Sequence, residues 1–321
     1  MALAPLLPDS EVTDAQARLR EAGIANGDVL AQPIAEARAT TLRYQAFLNA
    51  GGPEMAETTE LVLDGTTPPL RLRLYRPRSA PPGPLPAYLH IHGGGMAVGS
   101  LESLDRWKRE LADETGFLVV GLDYALAPEH PFPTALHQVL AALRWLRAAP
   151  GGNGMVEGTR LAVGGDSAGG NLALSALLHL RAAGEALPAL GVLVYGMFSA
   201  RSDTPSHRER GDGRFGLSTA KLEWFWSQYL PEASLRQNPA AAPLLADLQG
   251  LPPLLLQAAA LDPLLDDTLD LARRLRDIGA RHSLTVYEGV PHGFIGQTAL
   301  LSKANAARRE VAAALKAAFE G

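Results

Sequence analysis

The sequence predicts an α/β fold, a mostly parallel sheet covered by helices on both faces. Two observations carry this. From about residue 60 onward, apolar runs of strand length alternate with stretches of helical periodicity. Two of those runs, 117–122 and 190–195, are almost continuously apolar, the pattern of strands buried on both faces.

Residues 1–50 carry no strand signal. Asp9 or Ser10 can cap a helix that runs to about Ala22 and stops at Gly23. A second periodic stretch spans 33–49, with Leu42, Tyr44, Phe47 and Leu48, and ends at Gly51-Gly52. Runs at 61–63 and 70–75 flank the turn-like 64–69 and predict an antiparallel pair. A proline-rich linker, 77–86, leads to a strand at 87–92, a helix at 103–115 and a strand at 117–124. Leu136, Val139, Leu140, Leu143 and Leu146 have helical spacing within 134–149. A strand at 160–165, a helix at 168–183 and a strand at 190–197 follow. Residues 199–231 break the rhythm with a polar, Gly-rich half and an aromatic half, and predict an insertion carrying its own helix. The alternation resumes with strand 253–261, helix 264–278, strand 283–288 and helix 298–319, which makes eight strands. In open sheets of this kind chemistry collects beyond the carboxyl ends of the strands, so the loops there are where to search.

Composition narrows the function. The 321 residues are 47% hydrophobic, enough for a large core, and the formal net charge is −5. Phosphate binding needs a basic face, so nucleic acid is not expected as a partner. The chain has no cysteine, which excludes disulfides, thiolate metal sites and a cysteine nucleophile. Residues 1–14 hold no Lys or Arg and only a broken apolar stretch, unlike a secretory leader. No apolar run approaches the roughly 20 residues of a membrane helix. A cytoplasmic protein without stable membrane insertion is expected.

Gly165-Asp166-Ser167-Ala168-Gly169 matches G-x-S-x-G between a strand and a helix. A tight turn there strains the central residue and exposes its hydroxyl, while the glycines let neighbouring backbone pass. The helix N-terminus adds unpaired N–H groups. A Gly-rich turn with a capping serine would give the same letters, but the flanking elements favour a nucleophile. His92-Gly93-Gly94-Gly95 ends the 87–92 strand. Three glycines can turn their N–H groups inward toward a tetrahedral oxyanion, and the Ala168 N–H would be a third donor. No G-K-[ST] signature marks a phosphate loop.

A serine hydroxyl needs a base. Of eight histidines, His292 stands out, in Gly289-Val-Pro-His-Gly-Phe294 between the last strand and the last helix. Asp262 follows strand 253–261 and could accept the imidazole proton, with Asp266 and Asp267 as rivals in the first helical turn. Asp166, beside Ser167, is expected to point elsewhere on the elbow. His90-Ile91-His92 could look like a ligand pair, but the glycine loop explains it better, and no metal site is expected.

Taken together, His92-Gly-Gly-Gly95, Gly164-Gly-Asp-Ser-Ala-Gly-Gly170, Asp262-Pro-Leu-Leu-Asp-Asp267, Pro291-His-Gly-Phe294 and the segment 123–133 resemble the bacterial hormone-sensitive-lipase-like esterases of the α/β-hydrolase superfamily. The last motif usually has Arg where this chain has Ala125. The resemblance implies an α/β-hydrolase fold with an eight-stranded sheet and a helical cap. It implies a triad of Ser167, Asp262 and His292 with oxyanion donors at Gly94, Gly95 and Ala168. It also implies short-chain ester substrates, no cofactor, and pairing into a homodimer through the last strand and helix. The cap would be built from 1–50 and 199–231, and the core from 51–198 and 232–321.

Phe47, Phe215 and Leu217 are candidates for an apolar acyl pocket. Trp224, Phe225 and Tyr229 are expected to anchor the cap helix, and Arg208, Glu209, Arg210 and Asp212 to be a solvated loop. The function expected is a serine carboxylesterase acting through an acyl-enzyme on Ser167. An amidase or deacetylase would use the same triad. A ligand-binding receptor on a hydrolase scaffold would not need an intact one.

Overall fold

A computed structural model of the chain describes residues 6–148 and 154–320. The first five residues of the stretch read for a leader, and Ala149 at the end of a predicted helix, lie outside the described residues. The N-terminal helices are α1 (Ser10–Glu21) and α2 (Ile34–Leu48). Then come β1 (Glu57–Leu63), β2 (Leu70–Arg76), β3 (Leu85–Ile91), α3 (Asp105–Thr115), β4 (Leu118–Asp123) and α4 (Thr134–Arg147). These are followed by β5 (Val156–Asp166), α5 (Ala168–Ala182), β6 (Leu190–Val194), α6 (Pro205–Arg210) and α7 (Thr219–Tyr229). The chain closes with β7 (Leu254–Leu261), α8 (Leu265–Asp277), β8 (His282–Pro291) and α9 (Ser302–Glu320).

The strands form one eight-stranded sheet in the order β1-β2-β4-β3-β5-β6-β7-β8. β2 runs antiparallel to β1 and to β4, and all other neighbours are parallel. Alternation along each strand feeds two cores. Leu72, Leu89, Val120, Val163 and Leu193 join the side covered by α4, α5 and α8. Tyr75, Tyr88, Val119, Ala162 and Val192 join the side covered by α3 and α9. α1 adds Val12 and Ala15 to this second core. Its end is tied down where the Asp9 N–H donates to Gly289 O at 2.9 Å and the Ser302 N–H donates to Glu11 at 2.8 Å.

The departures from the predicted bounds have local causes. β1 begins at Glu57 because an edge strand, paired among the described residues only with β2, carries little apolar signal. β5 begins at Val156, which pairs with Leu85 across a register shift. β6 stops at Val194 because Tyr195 takes φ +35° and turns the chain out of the sheet. β8 continues past Gly289, at φ +69°, to Pro291, with a register shift against β7. α9 starts at Ser302, after a short 3-10 turn at Phe294–Gly296. The insertion holds two helices rather than one. α7 is capped by Ser218, whose Oγ accepts the Lys221 N–H, and α6 by Thr204. Six residues of α6 are too few for periodicity to show. Ala125 is nearly buried and its N–H donates to Gln138 Oε1 at 2.6 Å.

Candidate active site

Ser167 sits between β5 and α5 with φ +55° and ψ −119°, backbone that a non-glycine residue adopts only when its surroundings force it. The forcing comes from both sides. The Ser167 N–H donates to Val194 O on β6 at 2.9 Å, and the Met197 and Asn171 N–H groups donate to Ser167 O at 3.2 Å. β3 passes so close that a Cβ on Gly165 or Gly169 would overlap the Ile91 carbonyl. The motif glycines are therefore there for clearance.

His292 leaves the end of β8 and lies between Ser167 and Asp262. Its Nε2 is 2.9 Å from Ser167 Oγ, and its Nδ1 is 2.6 Å from Asp262 Oδ2. Asp262, at the end of β7, is fully buried, and its other oxygen accepts the Leu264 N–H at 2.9 Å. A carboxylate accepts only, so Nδ1 carries the proton and Nε2 faces the hydroxyl as an acceptor. The Tyr195 ring packs against the imidazole, centroids 4.6 Å apart. The rival carboxylates are engaged elsewhere. Asp266 accepts the Ser206 N–H and Asp267 accepts the Ser199 N–H, each at 2.8 Å. Burial pushes the Asp267 carboxyl up to about 8.

The loop after β3 faces Ser167. Gly94 and Gly95 have φ +107° and +61°, and Met96 follows at +56°. Among the described residues neither the Gly94 nor the Gly95 N–H is given to a protein acceptor. The Ala168 N–H opens α5, where helix N–H groups have no partner within the helix. A Cβ on Gly95 would overlap the Phe225 ring of α7. His92 cannot serve as the base. Burial holds its imidazole at about 4, and its Nδ1 lies 2.7 Å from Gly93 O, to which the neutral ring donates.

Three contributors escaped the sequence reading. Asp166 Oδ1 accepts the Gly93 N–H at 2.9 Å and so holds the glycine loop against the elbow. The Tyr124 hydroxyl donates to His92 O at 2.9 Å, and its ring stacks on the His92 imidazole. Tyr195 supports His292. Each acts across sequence distance, and only the Gly-x-Ser context of Asp166 could have drawn attention to it.

A cavity of about 360 Å³ opens over Ser167 and His292. Phe215 and Leu217 line it, with Leu222 and Phe225. Phe47 does not. α2 presents Thr41, Tyr44, Gln45 and Leu48 to the cavity, and at about 100° per residue Phe47 falls off that face. Gln16 and Leu19 of α1 complete the rim. Among the described residues no group of three or more His, Asp or Glu side chains could hold a metal ion. Among them, too, no helix is long and apolar enough to cross a membrane.

This sheet, with a serine at the elbow after its fifth strand and partners at the ends of β7 and β8, defines the α/β-hydrolase class. A family model described as alpha/beta hydrolase fold matches residues 88–296, and the chain belongs to that family, in the hormone-sensitive-lipase-like group that its motifs resemble. An ethyl acetate hydrolase of Pseudomonas putida is 36% identical over 90% of this chain and 92% of its own length. The carboxylic ester hydrolase LipN of Mycobacterium tuberculosis is 35% identical over 83% of this chain and 72% of its own. Among solved structures, an ester hydrolase from the metagenome of Lake Arreo superposes with a TM-score of 0.90 at 34% identity, covering 98% of this chain and all of that one.

Proposed function

We propose that the chain is a serine carboxylesterase that hydrolyses short-to-medium-chain carboxylic esters through an acyl-enzyme on Ser167. The observation that carries this is the continuous row from Ser167 Oγ through His292 to Asp262, with links of 2.9 and 2.6 Å. Its similarity to named ester hydrolases over most of its length supports the same reading.

In the proposed reaction Ser167 Oγ attacks the ester carbonyl carbon while His292 Nε2 takes its proton. The oxyanion so formed is met by the N–H groups of Gly94, Gly95 and Ala168, each worth on the order of 3 kcal/mol in rate when aimed correctly. Asp262 fixes the imidazole tautomer and stabilises the imidazolium. Collapse breaks the bond to the alkoxy oxygen, which leaves with the proton from Nε2. Water then attacks the acyl-serine, giving its proton to Nε2. Collapse of this second intermediate returns that proton to Ser167 Oγ and releases the acid.

In this reading 1–50 and 199–231 form a cap over the core segments 51–198 and 232–321, and Phe215 and Leu217 bound the acyl side of the cavity. The enzyme acts in the cytoplasm, without a cofactor. It pairs as a homodimer through the last strand, β8, and the last helix, α9; among the described residues β8 has a sheet partner only in β7.

Hydrolysis of nitrophenyl esters of rising acyl length, beside a matched amide panel, tests the activity. Ester turnover should dominate, with a burst equal to one acyl group per chain. An organophosphate should label Ser167, and Ser167→Ala should lose turnover by at least about 1,000-fold. Ordinary turnover in Ser167→Ala, or a preference for amides, would refute the reading. Light scattering tests the dimer.

A further inference from the structure

Arg38 lies on α2, on the cavity helix but outside the cavity lining, and its guanidinium makes four hydrogen bonds to two other segments. Nε donates to Ala97 O at 2.9 Å, and Nη2 to Ala127 O at 2.9 Å. Nη1 and Nη2 together grip both oxygens of Glu129 at 2.8 and 2.7 Å.

Those acceptors sit at the outer end of the glycine loop. The Ala97 and Val98 N–H groups both donate to Gly94 O at 3.0 Å, and the Ala127 N–H donates to Met96 O at 2.8 Å. Gly94, Gly95 and Met96 all hold positive φ. Backbone of this kind persists only when its neighbours over-determine it. Asp166 holds the inner end of the loop through Gly93, and Arg38 holds the outer end. About one and two helical turns further along α2, Thr41 and Tyr44 face the cavity.

We propose that Arg38 is a positioning residue that ties the substrate-facing helix α2 to the oxyanion loop and so keeps the Gly94 and Gly95 N–H groups aimed. The proposal rests on the esterase reading. The planar fork of arginine suits this task because it presents several donors in fixed directions. A lysine ammonium cannot span two carbonyls and a carboxylate with the same geometry. The Glu129 carboxyl is held below its usual range, first by its hydrogen bonds from Arg38, so the pair stays charged. Arg38 does not touch the reacting atoms and acts only through the loop. Misplacing a catalytic group by about 1 Å costs on the order of 100-fold in rate.

The test is steady-state hydrolysis of a nitrophenyl ester by Arg38→Met, Arg38→Lys and Glu129→Gln, with active sites counted by the end-point of organophosphate labelling. Arg38→Met should lower kcat per titrated site by about tenfold or more, while KM moves less than about threefold. Arg38→Lys should recover only part of that loss. Glu129→Gln leaves both carbonyl bonds in place and should keep kcat within about twofold. Counting sites removes unfolded protein from the comparison, and Arg38→Lys gives the reading by itself if Arg38→Met does not fold. Unchanged kcat per site in the Arg38 variants, or a loss confined to KM, overturns the proposal even if the melting temperature drops. Wild-type enzyme inactive on every ester would overturn the esterase reading, and this one with it.

Discussion

At the scale of single residues, the site depends on positions where nothing larger fits. Gly95 is the sharpest case. Its φ of +61° strains any side chain, and a Cβ there would also overlap the Phe225 ring. Gly95→Ala should therefore displace either the loop or α7, and in both cases the oxyanion donors move. A loss of about 100-fold in kcat is expected, in line with the removal of one oxyanion donor. The second substitution Phe225→Ala makes room for the methyl group and should restore part of that loss. Steady-state kinetics on the single and double variants check this. An additive double variant, with no recovery, would show that the ring contact is not what Gly95 protects.

At the scale of elements, the face a helix turns inward decides which residues meet the substrate. The sequence located α2 within a residue or two at each end, yet it put Phe47 in the acyl pocket because apolar character was the only guide. The helix instead packs so that Thr41, Tyr44, Gln45 and Leu48 face the cavity. The direction of a half-buried helix against a neighbour is a tertiary matter, and its own periodicity does not contain it. The same limit hid Asp166 and Tyr124, whose partners lie 73 and 32 residues away. Ser167, Asp262 and His292 were legible because each follows a strand, and strand ends in a parallel sheet converge on one edge. Phe215 is nearly buried against the cavity, with the Arg214 guanidinium over its ring at 4.7 Å. Phe215→Ala should enlarge the cavity and raise kcat/KM for longer acyl chains relative to acetate by about tenfold, consistent with roughly 1–3 kcal/mol for methylene-scale fit in an apolar pocket. An acyl-length profile identical to wild type would remove Phe215 from the acyl pocket.

At the scale of the whole molecule, stability carries a pH term from a carboxyl that the reaction does not use. Asp267 is 1% exposed beneath the start of the insertion, where its Oδ2 accepts the Ser199 N–H. Burial is the largest influence on it and pushes the carboxyl up to about 8, against which the hydrogen bonds from Ser199 and Phe198 pull down. In the unfolded chain an aspartate titrates near 3.9. Below about pH 4 both states hold the proton and the full contribution is present. Between about 4 and 8 the folded state keeps the proton that the unfolded state releases, so unfolding becomes easier as pH rises. Above about 8 the contribution is gone, because folding then has to bury a charge. Asp267→Asn is neutral at every pH and keeps an oxygen for the Ser199 N–H. Urea unfolding of wild type at pH 5, 6, 7 and 8 should show a fall in stability that is visibly shallower in Asp267→Asn. The variant should lose ground at pH 5 if the amide fits less well, and close the gap or overtake wild type by pH 8. Parallel pH profiles for the two proteins would mean that Asp267 is ionised in the folded state throughout, and that its two backbone donors outweigh the cost of its burial.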